Sequence, residues 1–335
     1  MATRWGICAA GLIAHDFVTA VRTLPSAEHT IAAVAARSSD RARDFASRHS
    51  ISKAYGSYED LAKDPDIDVV YVGTVHTTHV DVASLMMKWG KSILCEKPLA
   101  VNLKEARQLT SLAREKNVFL MEALWSRFFP AWIELENQIK SGAIGDIKLV
   151  TANFGIKLGD NPSDRYTKKE LAGGALLDLG VYPLSFASFV LSGLKPDKVV
   201  AAANLMETGV DKQVGMTLVY PSSKIANLCV SFEAESPRDA YVIGTKGIIK
   251  VPYPFWCPTK LETPSGVLEY PLPKSDTPFN YQNSAGLSYE AAEVRRCLQA
   301  GKKESDRMPL SQSEMVMGLM DEIRRQVGVE YPQDM

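Results

Sequence analysis

The sequence is short of cysteine, of long apolar runs and of any surplus of charge, and each shortage removes a class of function. Its five cysteines (Cys8, Cys95, Cys229, Cys257, Cys297) are odd in number, scattered and never spaced CxxC. A disulfide framework, a zinc site and a dithiol redox motif are therefore not expected. Three of them sit in apolar runs and read as small core residues, and a reducing, cytoplasmic location is expected. No stretch reaches the roughly 18 uninterrupted apolar residues of a membrane span. The segment "MATRWGICAAGLIAHDF" lacks the charged-then-apolar layout of a secretory signal, because His15 and Asp16 break its apolar run. "YPQDM" carries no prenylation, retention or peroxisomal signal. Lys and Arg number 38 against 39 Asp and Glu, interspersed, for a net charge of −1. Without a basic stripe, neither nucleic acid nor an anionic membrane is an expected partner.

What is present is ordinary globular material, 46% hydrophobic over 335 residues, which suits two domains with a core each. The first part alternates. Short apolar runs at 4–11, 30–37, 69–74, 92–98 and 118–124 read as buried parallel strands. Helical patterns at 13–24, 39–49, 78–90 and 103–117 separate them. This rhythm predicts an α/β, Rossmann-type, doubly wound parallel sheet over residues 1–124. The rhythm then changes. A strand at 146–158 and an apolar helix at 174–191 precede strands at 197–207, 213–221, 224–234, 239–245 and 247–251, joined by turn signals such as "YPSSK" and "GTKG". Helices at 286–300 and 311–327 close the chain. Residues 125–335 thus predict an α+β domain with an open, predominantly antiparallel sheet, for substrate binding and dimerisation. The loop at 271–286 is long enough to carry function.

The turn after the first strand reads Ala9-Ala10-Gly11-Leu12-Ile13-Ala14, a degenerate A-x-G-x-x-A form of the dinucleotide fingerprint. By itself it is equally a small-residue strand-to-helix turn; the strand before it and the helix after it favour a phosphate-binding turn. The second strand ends at Arg37, where an acidic residue usually holds a ribose 2′-hydroxyl. An arginine there accepts a 2′-phosphate, with Ser38 and Arg41 able to help. The alternative is a solvated helix start, but cations in a first helical turn oppose the macrodipole and attract an anion. NADP is expected over NAD.

"GGALLDLGVYPL" (173–184) is an apolar helical segment that carries Asp178 and Tyr182, four apart and so on one face of an α-helix. "CEKP" places Lys97 at the carboxyl end of a strand, the end where ligands bind in open α/β sheets. Read alone, Tyr182 is an interior tyrosine and Lys97 a strand-end lysine. Together with "GICAAGLIA", "YVGTVHTTH" and "MEALWSRFFP", these segments resemble, over the entire chain, the glucose–fructose oxidoreductase/inositol dehydrogenase-like family.

The resemblance implies that Lys97 and Tyr182 are catalytic. Many family members carry His where this chain has Tyr182, which points to the branch oxidising cyclic secondary alcohols: D-xylose to its lactone and trans-dihydrodiols of arenes to catechols. A free tyrosine has a pKa of about 10, so on the order of one in a thousand is ionised at pH 7. A nearby ammonium favours the phenolate, which then takes the hydroxyl proton as hydride leaves the same carbon. Asp178 is expected to orient a substrate hydroxyl or Lys97, its alternative being a structural hydrogen bond. Thr74, His76 and His79 follow the third strand at the expected nicotinamide end, and the resemblance puts His79 near cofactor or substrate. Glu96 can bond the nicotinamide ribose or pair with a neighbouring cation. Trp125 and Arg127 are expected at the substrate, with Phe154 and Phe279 completing an apolar wall; Phe128 reads as core. No metal is expected, and a homodimer is implied by the resemblance. Two rivals stand: a dehydrogenase of another sugar or inositol, and an NADP-sensing regulator without turnover.

Overall fold

The computed structural model describes residues 1–159 and 162–335. They form two compact units, one of Met1–Ala100, Lys104–Phe128 and Leu272–Leu310, the other of Val101–Leu103, Phe129–Pro271 and Ser311–Met335.

The first unit is built from β1 (Thr3–Cys8), α1 (Leu12–Val21), β2 (His29–Ala35), α2 (Ser39–Arg48), β3 (Lys53–Tyr55), α3 (Tyr58–Lys63), β4 (Val69–Val72), α4 (His79–Lys88), β5 (Ser92–Glu96), α5 (Leu103–Lys116) and β6 (Leu120–Ala123). Its sheet runs β3-β2-β1-β4-β5-β6, and every pair is parallel. All of β4 and β6, and most of β1 and β5, are buried, as expected of strands covered on both faces. Close packing sets the side chains. Phe17 of α1 stacks on Tyr71 of β4 with ring centroids 3.9 Å apart and meets Trp5 of β1 edge-on at 5.1 Å. A Cβ on Gly6 would lie 3.0 Å from Ile67 and 3.1 Å from Leu61, so that strand position has no room for a larger residue. Strand order reverses between β1 and β4, and ligands bind outside the carboxyl ends of strands at such a reversal.

The second unit holds α6 (Pro130–Lys140), β7 (Ile147–Gly155), α7 (Asp164–Thr167), α8 (Val181–Val190), β8 (Lys198–Leu205), β9 (Asp211–Tyr220), β10 (Lys224–Ser231), β11 (Ala240–Gly244), β12 (Ile248–Val251), β13 (Lys260–Thr263) and β14 (Gly266–Glu269). The order is β14-β13-β12-β11-β7-β10-β9-β8, antiparallel throughout except for the β7–β10 pair. The expected fold class is thus observed. The stretch Lys169–Val190 is long and apolar enough to cross a membrane, yet 89% of its apolar window lies inside the protein, as in a core helix.

The chain then returns. Helix α9 (Leu287–Gln299) packs against α1 in the first unit, and α10 (Leu310–Val327) follows. The sequence reading used one boundary, at 124. The packing instead gives residues 125–128 and 272–310 to the first unit, because α9 buries Ala291, Val294 and Cys297 there.

Candidate active site

The phosphate-binding turn begins where β1 stops. Ala9 has φ +79°, the left-handed region that favours glycine. Gly11, the residue before α1, has φ −98°, extended backbone open to any residue. A Cβ on Gly11 would meet nothing within 4 Å. Nothing inside the protein requires a glycine there, so the bare backbone serves whatever lies above it. Helix α1 has no side-chain cap and no acidic residue in its first turn, which leaves its amides and dipole for an anion. A pyrophosphate fits this cradle. Leu12 is 59% exposed beside it, and Ile13 half-buried. Ala9→Gly relieves the strained φ and is expected to stabilise the protein by about 0.5–1 kcal/mol, read as a higher urea midpoint. An unchanged or lower midpoint would show that Ala9 is unstrained.

Arg37 and Arg41 are both exposed at the end of β2 and the start of α2. Ser38 is the N-cap residue of α2, but its side chain makes no cap bond. Asp40 in the same turn is engaged by Arg43 at 2.6 Å. A cavity of about 290 Å³ is lined by Ala10, Gly11, Leu12, His15, Arg41, Arg48 and Asn280. Three of these had no expectation from sequence: His15, Arg48 and Asn280. The long 271–286 loop was the available signal. It is strapped over α1 by the fully buried Asp16, whose carboxylate accepts the Asn280 backbone and side-chain N–H groups at 2.8 Å each and the Tyr281 N–H at 2.9 Å. His15 bonds the Pro278 carbonyl at 3.1 Å and the His49 ring at 3.0 Å. Phe279 lies half-buried in this strap.

The ends of β4 and β5 carry a second group. His79 starts α4, buried, with Nδ1 3.0 Å from the Pro98 carbonyl and Nε2 3.1 Å from the Thr74 carbonyl. Burial, with the nearby His76, lowers its pKa to about 4. A neutral ring has one N–H, so it donates to only one of the two carbonyls. His76 is buried in the short turn His76–Thr78. Glu96 is fully engaged by protein donors: the Tyr71 hydroxyl at 2.6 Å and the Lys97 N–H at 3.2 Å. Burial still raises its pKa. The fully buried Glu290 of α9 has no hydrogen bond to either oxygen among the described residues, and burial with the field of Glu96 pushes its pKa well up. Lys97 stands half-buried at the strand end, before a cis bond to Pro98. Trp125 and Arg127 lie in the buried turn Trp125–Phe128, where Arg127 donates to the Arg307 carbonyl at 3.4 Å.

Tyr182 and Asp178 belong to the second unit, Lys97 to the first. Residues Leu176–Gly180 are π-helical and run into α8. The wide i→i+5 turn replaces the α-turn on which the four-residue spacing of Asp178 and Tyr182 was read, and such bulges are frequent at functional sites. The carboxylate of Asp178 faces Arg165 of α7 at 3.4 Å, a partner the sequence did not suggest. Arg165 also bonds the Tyr166 hydroxyl at 2.8 Å. Tyr182 is 7% exposed, with Phe154 at 5.6 Å and Trp256 at 6.4 Å between ring centroids. Phe154 stacks on Trp256 at 4.0 Å. Phe154 was expected in an apolar wall; Trp256 was missed, though the aromatic run "YPFWCP" (253–258) was a signal for it.

Residues 3–124 match the family described as "Oxidoreductase family, NAD-binding Rossmann fold", and residues 132–250 match the GFO/IDH/MocA C-terminal domain. The chain belongs to the GFO/IDH/MocA oxidoreductase family. Within it, the chain is 50% identical to a trans-1,2-dihydrobenzene-1,2-diol dehydrogenase of Danio rerio, covering 100% of this chain and 99% of that protein. A Homo sapiens protein of the same name is 45% identical, again over 100% of this chain and 99% of its own length. Among solved structures, a levoglucosan dehydrogenase gives a TM-score of 0.85 at 19% identity, with 98% of each chain covered. A 3-ketoreductase from Actinomadura kijaniata in complex with NADP gives 0.81 at 24%, also with 98% of each covered. Those two likenesses bear on fold alone. This GFO/IDH/MocA chain is an oxidoreductase that uses a nicotinamide dinucleotide on a small-molecule substrate.

Proposed function

We propose that the protein is an NADP-dependent dehydrogenase of cyclic secondary alcohols, oxidising trans-dihydrodiols of arenes to catechols and D-xylose to its lactone. The observation that carries this reading is the phenol of Tyr182 set beside the flat rings of Phe154 and Trp256, in a chain alike along its length to proteins named for a dihydrodiol. Flat apolar rings suit either an arene-derived diol or the apolar face of a pyranose.

Bound NADP supplies the hydride acceptor. Ala9, Gly11, Leu12 and Ile13 hold the pyrophosphate, and Arg37, Ser38 and Arg41 hold the 2′-phosphate. Tyr182 takes the hydroxyl proton from the carbinol that loses hydride. The Lys97 ammonium stabilises the phenolate. The hydroxyketone formed from a dihydrodiol enolises to the catechol without further help. Asp178, held by Arg165, orients a second substrate hydroxyl. Thr74, His76, His79 and Glu96 shape the nicotinamide end. Trp125 and Arg127 support the substrate side from within their turn, and Phe279 completes its wall. The test is a panel of trans-benzene dihydrodiol, D-xylose and myo-inositol with NADP, read by absorbance of the reduced nicotinamide. Turnover of inositol alone, or tight NADPH binding with no turnover of any of the three, would overturn the assignment.

The protein forms a homodimer through the open face of its eight-stranded sheet in this reading. One cross-strand row on that sheet runs Val200, Thr217, Asn227, Thr151, Tyr241. Val200 on β8 and Ile225 on β10 are exposed on either side of β9, where Gly215 and Thr217 lie between them. The row continues into Lys250 and Glu262, so an uncharged stretch on β7 to β10 is bordered by charge, an arrangement that suits a second copy. Thr217→Arg puts an unpaired charge in the middle of it and is expected to shift dimer to monomer, since buried like charges cost several kcal/mol. Light scattering that finds the same mass for both would refute the interface.

A further inference from the structure

The segment bearing Asp178 and Tyr182 starts at Gly173 and Gly174, and two residues far along the chain grip that start. Tyr331, 1% exposed, donates its hydroxyl to the Gly173 carbonyl at 2.6 Å. Asp211, the first residue of β9 and fully buried, accepts the Leu176 N–H on Oδ2 at 2.6 Å. The residue in the capping position is Ala175, which has no side chain able to cap. Asp211 therefore does from another strand what an Asp or Ser N-cap does from its own helix. Gly174, at φ +119°, passes so close that a Cβ would lie 2.4 Å from Asp211 Oδ1. Gly174 is thus explained by the carboxylate it must accommodate, whereas a Cβ on Gly173 would lie 2.8 Å from the Tyr166 carbonyl.

We propose that Asp211 is a positioning residue for Tyr182: its carboxyl group pins the first turn of the helical segment and so fixes the phenol at its far end. The inference rests on Tyr182 being the base of the reaction proposed above.

Three charged or titratable groups face Asp211 or its contacts. Arg324 of α10 is paired with Asp334 at 2.6 Å and Asp321 at 2.8 Å, and its field favours the Asp211 charge. Tyr331 is buried beside it, and Asp334 accepts the Tyr331 N–H at 2.8 Å. Lys212, next in sequence, is turned to Glu233 at 3.4 Å. Burial raises the Asp211 pKa to about 6, against the opposing pull of the Leu176, Asp211 and Ala175 amides and of Arg324. The sign matters. A carboxyl raised on folding favours the folded state below its unfolded pKa, and that benefit is lost as pH rises through about 6. At neutral pH this buried charge lowers stability, which fits a residue kept for function.

The experiment compares wild type with Asp211→Asn and Tyr331→Phe. Asparagine retains an acceptor for the Leu176 N–H but does not titrate. Amide exchange of the 175–182 peptide, corrected for intrinsic rate, should slow in wild type as pH falls below about 6, where the buried charge is lost, and stay level in Asp211→Asn. The melting temperature of Asp211→Asn relative to wild type should rise between pH 5 and pH 8. Tyr331→Phe, which folds whatever the fate of the first variant, should lower kcat about tenfold with the KM for NADP unchanged. Identical exchange in wild type and Asp211→Asn across the acid range overturns the role of Asp211 even if turnover is normal. Normal exchange behaviour with no turnover of any alcohol instead overturns the function proposed above.

Discussion

Tyr182→Phe is expected to lower kcat for trans-dihydrodiol or D-xylose oxidation by about 10²–10⁴-fold, the range for removal of a positioned general base. Phenylalanine keeps the ring and so keeps the packing with Phe154 and Trp256. What is removed is one oxygen, so the loss falls on the chemical step, and NADPH affinity should stay within about threefold of wild type, by the reasoning that a group acting only in the transition state leaves ground-state binding alone. A phenolate base makes the oxidation rate climb with pH, and the variant's residual rate should lose that climb. Lys97→Met should cost nearly as much, and should move the wild-type ascent to higher pH because the phenolate loses its cation. Steady-state kinetics across pH, beside NADPH fluorescence titration, reads all of this. A Tyr182→Phe enzyme within a few fold of wild type would remove the phenol from the mechanism.

The parallel sheet of the first unit could be read from sequence because each of its main elements announces itself locally. Apolar runs of strand length alternate with helical patterns, and Gly90 and Pro98 mark ends. Elements decided by longer-range packing were not legible. Strand β3 and helix α3 are too short to show a period, and β13 and β14 are a hairpin with little burial on one side. Helix α6 begins with a proline at its first position, a permitted start that also reads as a breaker. The return of α9 to the first unit depends on contacts with α1, nearly the whole chain away. The same holds in the site. Lys97, Tyr182, Arg37 and Gly11 lie in motifs whose spacing is local. The Asp16 grip on Asn280 and the Asp211 hold on Leu176 are pairings between separated segments, each carried by a carboxylate that looks ordinary in a linear reading, and the Arg165 partner of Asp178 lies on a separate short helix. The π-helical turn at 176–180 is a further case, since the sequence there has an ordinary α-helical composition.

Arg37→Ala tests the cofactor reading at its most specific point. A 2′-phosphate carries up to two negative charges and acceptor oxygens that match a guanidinium fork. A charge-assisted hydrogen bond contributes about 1.5–3 kcal/mol, and exposure pulls the figure toward the lower end. Arg37 is exposed in the free protein, so the expected weakening of NADP is about 10–100-fold. NAD lacks that phosphate and should change by no more than about threefold, since a side chain with no partner on a ligand contributes nothing to its affinity. Arg41→Ala should do less, because Arg41 shares the site with Arg48 at the neighbouring cavity wall. Screening supplies an independent check. The preference of wild type for NADP over NAD should shrink as salt rises and the Debye length falls from about 10 Å toward 3 Å, while the preference of Arg37→Ala, already small, should barely move. Equal losses for the two dinucleotides would mean that Arg37 only begins a solvated helix and that the choice between NADP and NAD is made elsewhere.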